Sequence, residues 1–372
     1  MGDGDAKAVR KRGPRPSEGG GAVTLRHVAE RVALSPATVS LVLNQSPNAA
    51  AIPSETQERI FAAVRELNYR PNYLARSLRS RRSYSVGVLV PEISEPYAAE
   101  VMSGIEGHLL ETGYHYLVAS HRRSNASLLQ EYLGLMRDRA VEGLILVASE
   151  LHEPPPLPAV VVSGHVPLDG VTNVVIDHDR AAAAALGHLA ALGHRRVALF
   201  KGQPGSADTD DRWRAIGEAA RGLGLEVRPE LTVQLSGEPS LATFSPADGY
   251  EEGYTFGRTL LERGVEFTAL FAFDDVSAVG AIRAFLDAGL RVPEDVSVIG
   301  FDDIQSAAYQ NPALTTVRQP LRRMGELAAR ILLGRIGGEQ AAAQPFVTLA
   351  PELVVRGSTA PAPRRRAKKG RG

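Results

Sequence analysis

The sequence predicts an all-α helix-turn-helix head at the N-terminus, followed by an α/β core of two doubly wound parallel-sheet subdomains. Three observations lead to this prediction. Between residues 24 and 67, apolar residues recur at helical spacing in three short segments. From residue 84, continuous apolar runs typical of buried parallel strands alternate with helical patterns in two successive series. An arginine-rich connector at 69–83 separates the two regions.

The composition indicates a globular protein. The chain has 372 residues, of which 44% are hydrophobic, and this is enough for large cores in two or three domains. It has no cysteine, which excludes disulfides and thiolate metal sites. No apolar run reaches the roughly 18 residues that a membrane span needs, and the N-terminus lacks the apolar segment of a signal peptide. We therefore expect a cytoplasmic protein without a membrane partner.

The net charge is zero, but the charges are segregated along the chain. Residues 1–85 hold 14 Lys and Arg against 7 Asp and Glu, and the tail 364–372 adds six basic residues and no acid. The residues between them therefore carry a net charge of −13. A basic head on an acidic body is typical of a module that binds a polyanion, although solvated charge would give the same balance at the two ends. Residues 1–22 and 359–372 are predicted to be disordered basic extensions.

The first predicted helix of the head has one apolar face. Its apolar residues fall at i, i+3, i+4 and i+7, and they are Leu25, Val28, Ala29 and Val32. Thr24 stands where an N-cap is expected. A turn of only a few residues follows this helix.

The second predicted helix has Ser35 as its N-cap and Pro36 at its first position, where a missing N–H costs nothing. Val39, Val42 and Leu43 are predicted to pack against the first helix. Its outward-facing residues are small or polar, and they are Pro36, Ala37, Thr38, Ser40 and Leu41. Such a face lets a helix backbone approach base edges in a major groove.

The third predicted helix begins with a capping box, in which Ser54 and Gln57 satisfy each other's free N–H groups. Ile60, Val64 and Leu67 continue it at helical spacing. Three such helices with a tight turn indicate a helix-turn-helix domain, and a small three-helix bundle without a role on DNA is the alternative.

The connector is too short and too charged to fold by itself. On DNA its arginines would gain phosphate partners, and a leucine could insert between base steps in the minor groove. This gain favours the DNA-binding interpretation of the head.

In doubly wound sheets, ligands bind beyond the carboxyl ends of the strands. Asp274 and Asp302 end two predicted strands, and Arg212 and Arg214 follow a third. Carboxylates and arginines that converge on one cleft suit a neutral polyol, whose ring an aromatic side chain can cover. The candidate aromatic residues are Tyr97 and Phe244, of which Phe244 could equally belong to the core.

Simpler roles are predicted for other acidic residues in the core. Asp275 and Asp303 are expected to be N-caps of the helices that follow them. The segment 207–211, "ADTDD", is expected to be a solvated loop, although paired carboxylates can hydrolyse glycosides. Nothing nearby supplies a matched acid and nucleophile. We therefore predict no catalytic residues, no metal ligands and no cofactor, and the protein is not expected to be an enzyme.

The segments "TLRHVAERVALSPATVSLVLN" and "YRPNYLARSLRS" resemble the DNA-binding head and hinge helix of the lactose repressor/galactose repressor (LacI/GalR) family. "VIGFDDIQSAAYQNPALTTVRQP" is similar to a signature in the body of that family. The resemblance covers residues 24–358. It implies a periplasmic-binding-protein-like core, whose two subdomains close on an effector and dimerise side by side.

For the head, the resemblance implies that the second helix enters the major groove and that the hinge helix folds only on operator DNA in a dimer. Leu78 stands where the family has a leucine that opens a central base step. The implied DNA-binding residues are Thr24, Ser35, Pro36, Ala37, Thr38, Ser40, Leu41, Asn44, Asn72, Ala75, Arg76 and Leu78. His27 replaces the usual acidic residue, and Leu41 replaces a residue that is often polar or basic. Pro36 and Ala37 have no side-chain hydrogen-bond donor either, so readout is expected to depend on apolar contacts and DNA shape.

For the core, the resemblance implies effector contacts at several strand ends. The implied effector-binding residues are Arg214, Phe244, Asp274, Asp302 and Gln319, and Tyr97 remains a candidate because of its aromatic ring. Arg214 is chosen because it lies three residues before Gly217. Asp274 lies where many members have asparagine, which favours a ligand that offers hydroxyl donors.

The predicted domain boundaries follow from the pattern and the resemblance together. They are 23–70 for the helix-turn-helix domain, 71–83 for the hinge helix and 84–358 for the effector-binding and dimerisation core. The first subdomain is predicted to comprise about 84–176 and 317–340, and the second about 177–316 and 341–358.

The resemblance implies a homodimeric transcriptional repressor that binds a pseudo-palindromic operator in double-stranded DNA. A small sugar-like effector between the subdomains would control its operator affinity allosterically. A nucleoside or a phosphorylated sugar is the alternative effector. Two other classes are a solute-binding protein, which the core alone would suit, and a sugar-processing enzyme. The basic head argues against the first class, and the lack of a matched acid and nucleophile argues against the second.

Overall fold

The computed structural model describes residues 23–44, 46–69, 82–121, 126–204, 206–235, 248–338 and 344–363. The chain divides into two compact units, Met1–Arg82 and Ser83–Gly372. The predicted N-terminal extension and most of the predicted hinge lie outside the described residues. The same is true of four residues predicted to bind DNA, Asn72, Ala75, Arg76 and Leu78.

Eleven α-helices and twelve strands are found in the described part of the chain. The helices are α1 (Leu25–Val32), α2 (Pro36–Leu43), α3 (Ser54–Glu66), α4 (Pro96–Thr112), α5 (Ala126–Asp138), α6 (His178–Ala191), α7 (Ala207–Gly222), α8 (Asp248–Glu262), α9 (Asp275–Asp287), α10 (Gln305–Tyr309) and α11 (Leu321–Ile336). The strands are β1 (Ser85–Val90), β2 (His115–Ser120), β3 (Leu144–Val147), β4 (Ala159–Val162), β5 (Val171–Ile176), β6 (Val197–Lys201), β7 (Thr232–Gln234), β8 (Ala269–Phe271), β9 (Ser297–Asp302), β10 (Thr315–Arg318), β11 (Phe346–Leu349) and β12 (Glu352–Val354).

The head unit contains α1, α2 and α3 around one apolar core. The buried residues of that core are Val28, Ala29, Val32, Val39, Val42, Ile60, Ala63 and Tyr69. The predicted apolar faces of the three helices are therefore confirmed. The predicted capping box at Ser54 is wrong, because Pro53 is the N-cap of α3. The Gln57 amide instead donates to the carbonyls of Ala49 and Ile52, at 3.1 and 2.9 Å, and so ties α3 to the preceding turn.

The second unit contains two six-stranded sheets. The first has the order β11-β5-β4-β3-β1-β2, and all its neighbouring strands are parallel. The second has the order β12-β10-β9-β8-β6-β7, in which only β12 runs antiparallel. The predicted fold class, a helical head followed by two α/β subdomains with doubly wound sheets, is confirmed. Continuous apolar runs form the central strands because helices cover both faces of a parallel sheet.

One helix pair in each subdomain packs backbone against backbone. In the first, a Cβ on Gly325 of α11 would lie 2.0 Å from the carbonyl oxygen of Val101 in α4. In the second, a Cβ on Gly280 of α9 would lie 2.1 Å from the carbonyl oxygen of Tyr250 in α8. Only glycine permits so close an approach, so these residues set the spacing of the helices over each sheet.

Two predicted boundaries are wrong. Residues 341–358 were assigned to the second subdomain, but β11 pairs with β5 in the first sheet, and only β12 joins the second. The tail was predicted to be disordered from residue 359, but Thr359 contacts the His188 ring at 3.0 Å, and the Ala362 amide donates to the Leu192 carbonyl at 2.8 Å. The second subdomain therefore extends beyond residue 358, while 364–372 lies outside the described residues.

Candidate functional site

A cavity of about 350 Å³ lies between the two subdomains of the core. The first subdomain contributes Ser149, His165 and Asn173 to its lining, and the second contributes Lys201 and Gln234. Most of these residues end parallel strands or follow them, and parallel strands of one sheet end at the same edge. The volume is within the range of small-molecule sites.

Arg212, on the first turns of α7, is the buried cation of this region. Its guanidinium lies over the rings of Phe273 and Phe301, 4.2 and 3.7 Å from their centroids. It donates to the Phe273 carbonyl at 2.6 Å and to Asp208 Oδ2 at 3.3 Å, while its Nε has no partner among the described residues. Aromatic faces and one carboxylate therefore replace the water that a guanidinium would otherwise bind.

Asp208 contacts two histidines as well as Arg212. Its Oδ1 lies 2.6 Å from His165 Nε2 and 3.2 Å from His178 Nε2. Burial opposes ionisation of Asp208, but the hydrogen bonds from both histidines outweigh burial and hold the pKa of its carboxyl well below the usual range. Burial also lowers the pKa of His178, whereas in His165 the bond to Asp208 prevails over burial and raises the pKa. His165 also lines the cavity, so it links the cavity to the charged group around Arg212.

Asp302, at the end of β9, is a buried carboxyl in strained backbone. Its φ of 109° lies in a region that side chains rarely adopt. Burial raises the pKa of Asp302 well above its usual range, and Asp275 and Asp274 add to this effect while Arg212 opposes it. The Gln319 amide donates to Asp302 Oδ1 at 2.7 Å. A carboxyl that keeps its proton can donate as well as accept, which suits a hydroxyl-bearing ligand.

Tyr97, at the start of α4, belongs to the first subdomain and lies near the buried polar residues Asp208, Arg212 and Asp302 of the second. Its hydroxyl shares a hydrogen bond of 2.6 Å with Ser163 Oγ. Burial raises the pKa of the Tyr97 hydroxyl, and the negative charge of Asp208 raises it further, so Tyr97 remains protonated. The structure therefore brings Tyr97, Asp302 and Gln319 together, and their role in binding an effector stays a prediction.

Three of the four strand-end aspartates, Asp274, Asp275 and Asp303, have structural roles that the sequence did not predict for them. Asp274, not Asp275, is the N-cap of α9, since its Oδ1 accepts the Ser277 N–H at 2.7 Å. Asp275 is fully buried and accepts from the Ile304 N–H at 2.9 Å and the Thr316 hydroxyl at 2.5 Å. Asp275 therefore binds two neighbouring segments to α9.

Asp303 is not an N-cap either. It accepts from Arg318 at 2.7 Å and from Arg356 at 2.6 Å, and Ile304 is the N-cap of α10. It joins the end of β9 to β10 and to the C-terminal segment.

Arg214 does not join the group around Arg212. It is half exposed on α7 and pairs with Asp179 at 3.0 Å and Glu218 at 3.1 Å. Positions 212 and 214 are about 200° apart around a helix, so only one of them can face the cleft. Phe244, the predicted aromatic cover, lies outside the described residues.

His165, His178 and Asp208 are not among the predicted site residues, and the prediction of a solvated loop at 207–211 is wrong. That segment forms the first turn of α7, and its Asp208 is only 7% exposed. The i,i+4 spacing of Asp208 and Arg212 was a usable signal, because such residues lie on one helix face. The two histidines gave no signal, because they become neighbours only in the tertiary structure.

In the head, α2 has the features predicted for it. Ser35 is its N-cap, with Oγ accepting from the Thr38 N–H at 3.1 Å. Ser35, Pro36 and Ala37 are exposed, as is Asn44, whose amide donates to the Ser40 carbonyl at 2.8 Å. Thr24 is likewise exposed, while Thr38, Ser40 and Leu41 are half buried.

His27, the predicted departure in α1, has a structural role. The Thr24 N–H donates to His27 Nδ1 at 3.2 Å, so the imidazole replaces an acidic side chain as the acceptor at this helix start.

A helix-turn-helix unit joined to a two-subdomain core with a cavity between the subdomains defines a ligand-responsive DNA-binding regulator. Residues 24–72 match the model for bacterial regulatory proteins of the lacI family, and residues 186–359 match that for a periplasmic binding protein-like domain. The chain belongs to the LacI family of transcriptional regulators.

Full-length relatives agree with this assignment. The HTH-type transcriptional repressor PurR of Aliivibrio fischeri (strain MJ11) is 33% identical over 344 residues, which are 90% of this chain and 98% of that protein. PurR of Haemophilus influenzae (strain ATCC 51907 / DSM 11121 / KW20 / Rd) is 31% identical over 346 residues, with 90% and 98% coverage.

Solved structures show the same fold. The Lac repressor dimer bound to operator and the anti-inducer ONPF superposes with a TM-score of 0.78 at 25% identity, covering 91% of this chain and all of that one. The complex of the regulator CelR with cellobiose has a TM-score of 0.64 at 30% identity, with 90% and 99% coverage.

Among the described residues, none of the helices combines the length and apolar character that a bilayer span requires.

Proposed function

We propose that the protein is a homodimeric repressor whose operator affinity is controlled by a small, neutral, hydroxyl-rich effector, a sugar, bound between the two core subdomains. The observation that carries this proposal is the polar cavity between the subdomains, next to a cluster of buried groups that can donate and accept. Effector bound there contacts both subdomains, so it stabilises one relative angle of the two.

The charge of the cavity favours a neutral ligand over a phosphorylated one. Among the described residues of its lining, Lys201 and the imidazole of His165 are accompanied by two carboxylates, Glu150 and Asp210. A phosphate dianion would meet these carboxylates at short range, whereas sugar hydroxyls can donate to them. Related regulators solved with cellobiose and ribose support a sugar for this chain as well.

The proposed output is a change in residues 71–83 of the connector, the predicted hinge helix. Two heads bind the halves of a near-palindromic operator, with α2 in successive major grooves. The connector folds as a hinge helix only when it is paired on DNA, and Leu78 inserts into the minor groove. A change in subdomain angle alters the spacing of the two connectors and so their folding. A 100-fold difference in affinity between the two states corresponds to about 2.7 kcal/mol, which is within the usual range of allosteric coupling.

The effector is tested by fluorescence anisotropy on the upstream DNA of the chain, with panels of free sugars, phosphorylated sugars and nucleosides. We expect a free sugar to change operator affinity at least about 10-fold. Lys201→Met and Asp302→Ala should each weaken this response, and Arg283→Ala, at an exposed ion pair with Asp287, should not. A response to phosphorylated sugars or nucleosides alone would contradict the proposed effector class.

The connector is tested separately. Leu78→Ala should weaken specific operator binding strongly and leave effector binding, measured by calorimetry, unchanged. Amide exchange of 72–82 should be slow only in the operator complex. Equal losses of DNA and effector binding in Leu78→Ala would refute the separation of head and core functions.

A further inference from the structure

Three potential metal ligands from separate elements meet between the two core subdomains. His165 follows β4, His178 opens α6, and Asp208 lies in the first turn of α7. Their ligand atoms all lie within 4.8 Å of one another. His165 and Asp208 are 43 residues apart in the chain, so this grouping is a product of the tertiary fold.

We propose that His165, His178 and Asp208 bind a divalent first-row transition metal ion, with Zn²⁺ as the best match. Two imidazole nitrogens and one carboxylate oxygen are the ligand types of three-ligand zinc sites, which leave a fourth position for water or a bound molecule. The proposal goes beyond the control of operator affinity by a small effector, and it requires no particular effector.

The distances are close to those of a tetrahedral site. Ligand atoms at about 2.0–2.1 Å from Zn²⁺ are roughly 3.3 Å apart when the angles are tetrahedral. His178 Nε2 lies 3.2 Å from Asp208 Oδ1, which already meets this requirement. His165 Nε2 lies 2.6 Å from the same oxygen and must move outward by several tenths of an ångström. His165 follows β4 in a loop that lines the cavity, so this movement does not disturb a strand.

The surroundings orient the ligands. Asp211 Oδ2 lies 3.1 Å from His165 Nδ1, so a carboxylate fixes this imidazole with Nε2 towards the site, as in many zinc sites. Arg212 contacts the other oxygen of Asp208 at 3.3 Å and leaves Oδ1 for the metal. His178 Nδ1 is buried and has no partner among the described residues, and the packed ring presents Nε2 to Asp208.

The charges also permit binding. Asp208 and Asp211 bring two negative charges to the group; Arg212 lies 3.3 Å from Asp208, and the half-exposed Arg214 lies 3.9 Å from Asp211. Both guanidinium groups lower metal affinity, and solvent weakens the effect of Arg214 because its ion pair lies at the surface.

The site would connect the subdomains directly. His165 belongs to the first subdomain, whereas His178 and Asp208 belong to the second. A metal ion held by all three residues fixes their separation, and it places a Lewis-acidic ion at the edge of the cavity that His165 lines. Hydroxyl oxygens of a ligand in that cavity could then occupy the fourth position.

The test is calorimetric titration of the full chain, freed of metal by chelation, with Zn²⁺. Absorption spectroscopy with Co²⁺ is run in parallel. We expect one ion per chain and the visible bands of four-coordinate Co²⁺. His165→Ala and Asp208→Asn should each raise the Kd at least about 100-fold, and His152→Ala, at an exposed loop histidine, should leave it unchanged.

Folding of each variant is checked by circular dichroism and operator binding. His165→Ala remains informative if Asp208→Asn does not fold, because His165 lies in a loop. Two results would overturn the proposal. One is an absence of heat and Co²⁺ bands from the unmodified chain at about 100 µM metal, a concentration that fills any site with a Kd of about 10 µM or less. The other is unchanged stoichiometry and affinity in His165→Ala.

Discussion

The guanidinium of Arg212 lies over the ring of Phe301, with 3.7 Å between the guanidinium carbon and the ring centroid. Arg212 comes from the start of α7, and Phe301 comes from the buried strand β9. This contact fixes which face of α7 is turned towards the strand ends, and it places the Arg212 side chain next to Asp208. The same helix register leaves Arg214 on the surface.

Replacing Arg212 should therefore have a much larger effect than replacing Arg214. In Arg212→Ala, Asp208 loses its buried cationic partner, and we expect a loss of about 3–5 kcal/mol in the free energy of unfolding together with a loss of effector response. In Arg214→Ala only surface ion pairs are lost, at a cost of about 1 kcal/mol or less. Urea unfolding and operator titrations with effector measure both quantities.

Arg212→Lys keeps the charge but not the planar contact with Phe301, and it should recover only part of the stability. If Arg214→Ala abolished the effector response while Arg212→Ala preserved it, the residue inferred from the family resemblance would be right and the α7 register described above would be wrong.

Asp275 should make the protein less stable as pH rises. Burial raises the pKa of Asp275 to about 8, and the carboxyls of Asp274 and Asp303 contribute. Its unfolded-state pKa is about 4, so stability from the protonated form is complete below pH 4 and is lost as pH rises towards 8. The expected slope in this window is about 1.4 kcal/mol per pH unit. Urea unfolding at pH 5.5, 7 and 8.5 measures it.

Asp275→Asn is the matched variant. Its amide can accept from the Ile304 N–H and donate to the Thr316 hydroxyl, but it cannot ionise. The unmodified chain loses stability in this window and Asp275→Asn does not. The free energy of unfolding of Asp275→Asn minus that of the unmodified chain should therefore rise with pH, by a few kcal/mol in total. A constant difference between the two proteins would show that Asp275 does not titrate there.

Gly325 should be intolerant of any side chain. Its Cβ would lie 2.0 Å from the Val101 carbonyl oxygen, so Gly325→Val must separate α11 from α4 and should cost several kcal/mol in the free energy of unfolding. Gly107 lies on α4, the helix that contains Val101, and a Cβ at Gly107 would have no atom within 4 Å. Gly107→Ala should stabilise the protein by up to about 1 kcal/mol. Thermal unfolding of both variants tests the contrast.

A negative charge on the exposed N-terminal turn of α2 should separate DNA binding from folding. Ala37 is exposed there. Ala37→Glu is compatible with the helix, because acidic side chains are favourable near a helix N-terminus. It should nevertheless reduce operator affinity at least about 10-fold through repulsion by phosphates. Ala62→Glu, at an exposed position of α3, is the control. Equal affinities for the two variants would place the DNA contacts elsewhere.

The sequence was sufficient for the elements whose signal is local. The helical spacing of apolar residues in the head and the apolar runs of the core predicted α1, α2 and the parallel sheets, because a face that must be buried shows its period in the sequence. The polar residues at strand ends predicted a cleft with Tyr97 and Asp302 as candidates, and the family resemblance added Gln319. These residues do lie among the polar groups that meet between the subdomains.

The remaining errors have a common physical origin. The choice between Arg212 and Arg214, or between Asp274 and Asp275 as the cap, depends on where α7 and α9 start, and a shift of one or two residues reverses which side chain is buried. The partner of β11 depends on where a long return segment crosses between sheets, and no local pattern records this.

By itself, the sequence determined the architecture and the separation of a basic head from an acidic core, because composition and periodicity are properties of the chain. Its motifs carried the resemblance to the family. Only the tertiary structure decided that Arg212 is the buried cation and that two histidines distant in the chain meet Asp208. Such contacts arise from the closing of two sheets and the helices around them, and their energies depend on distances that exist only after folding.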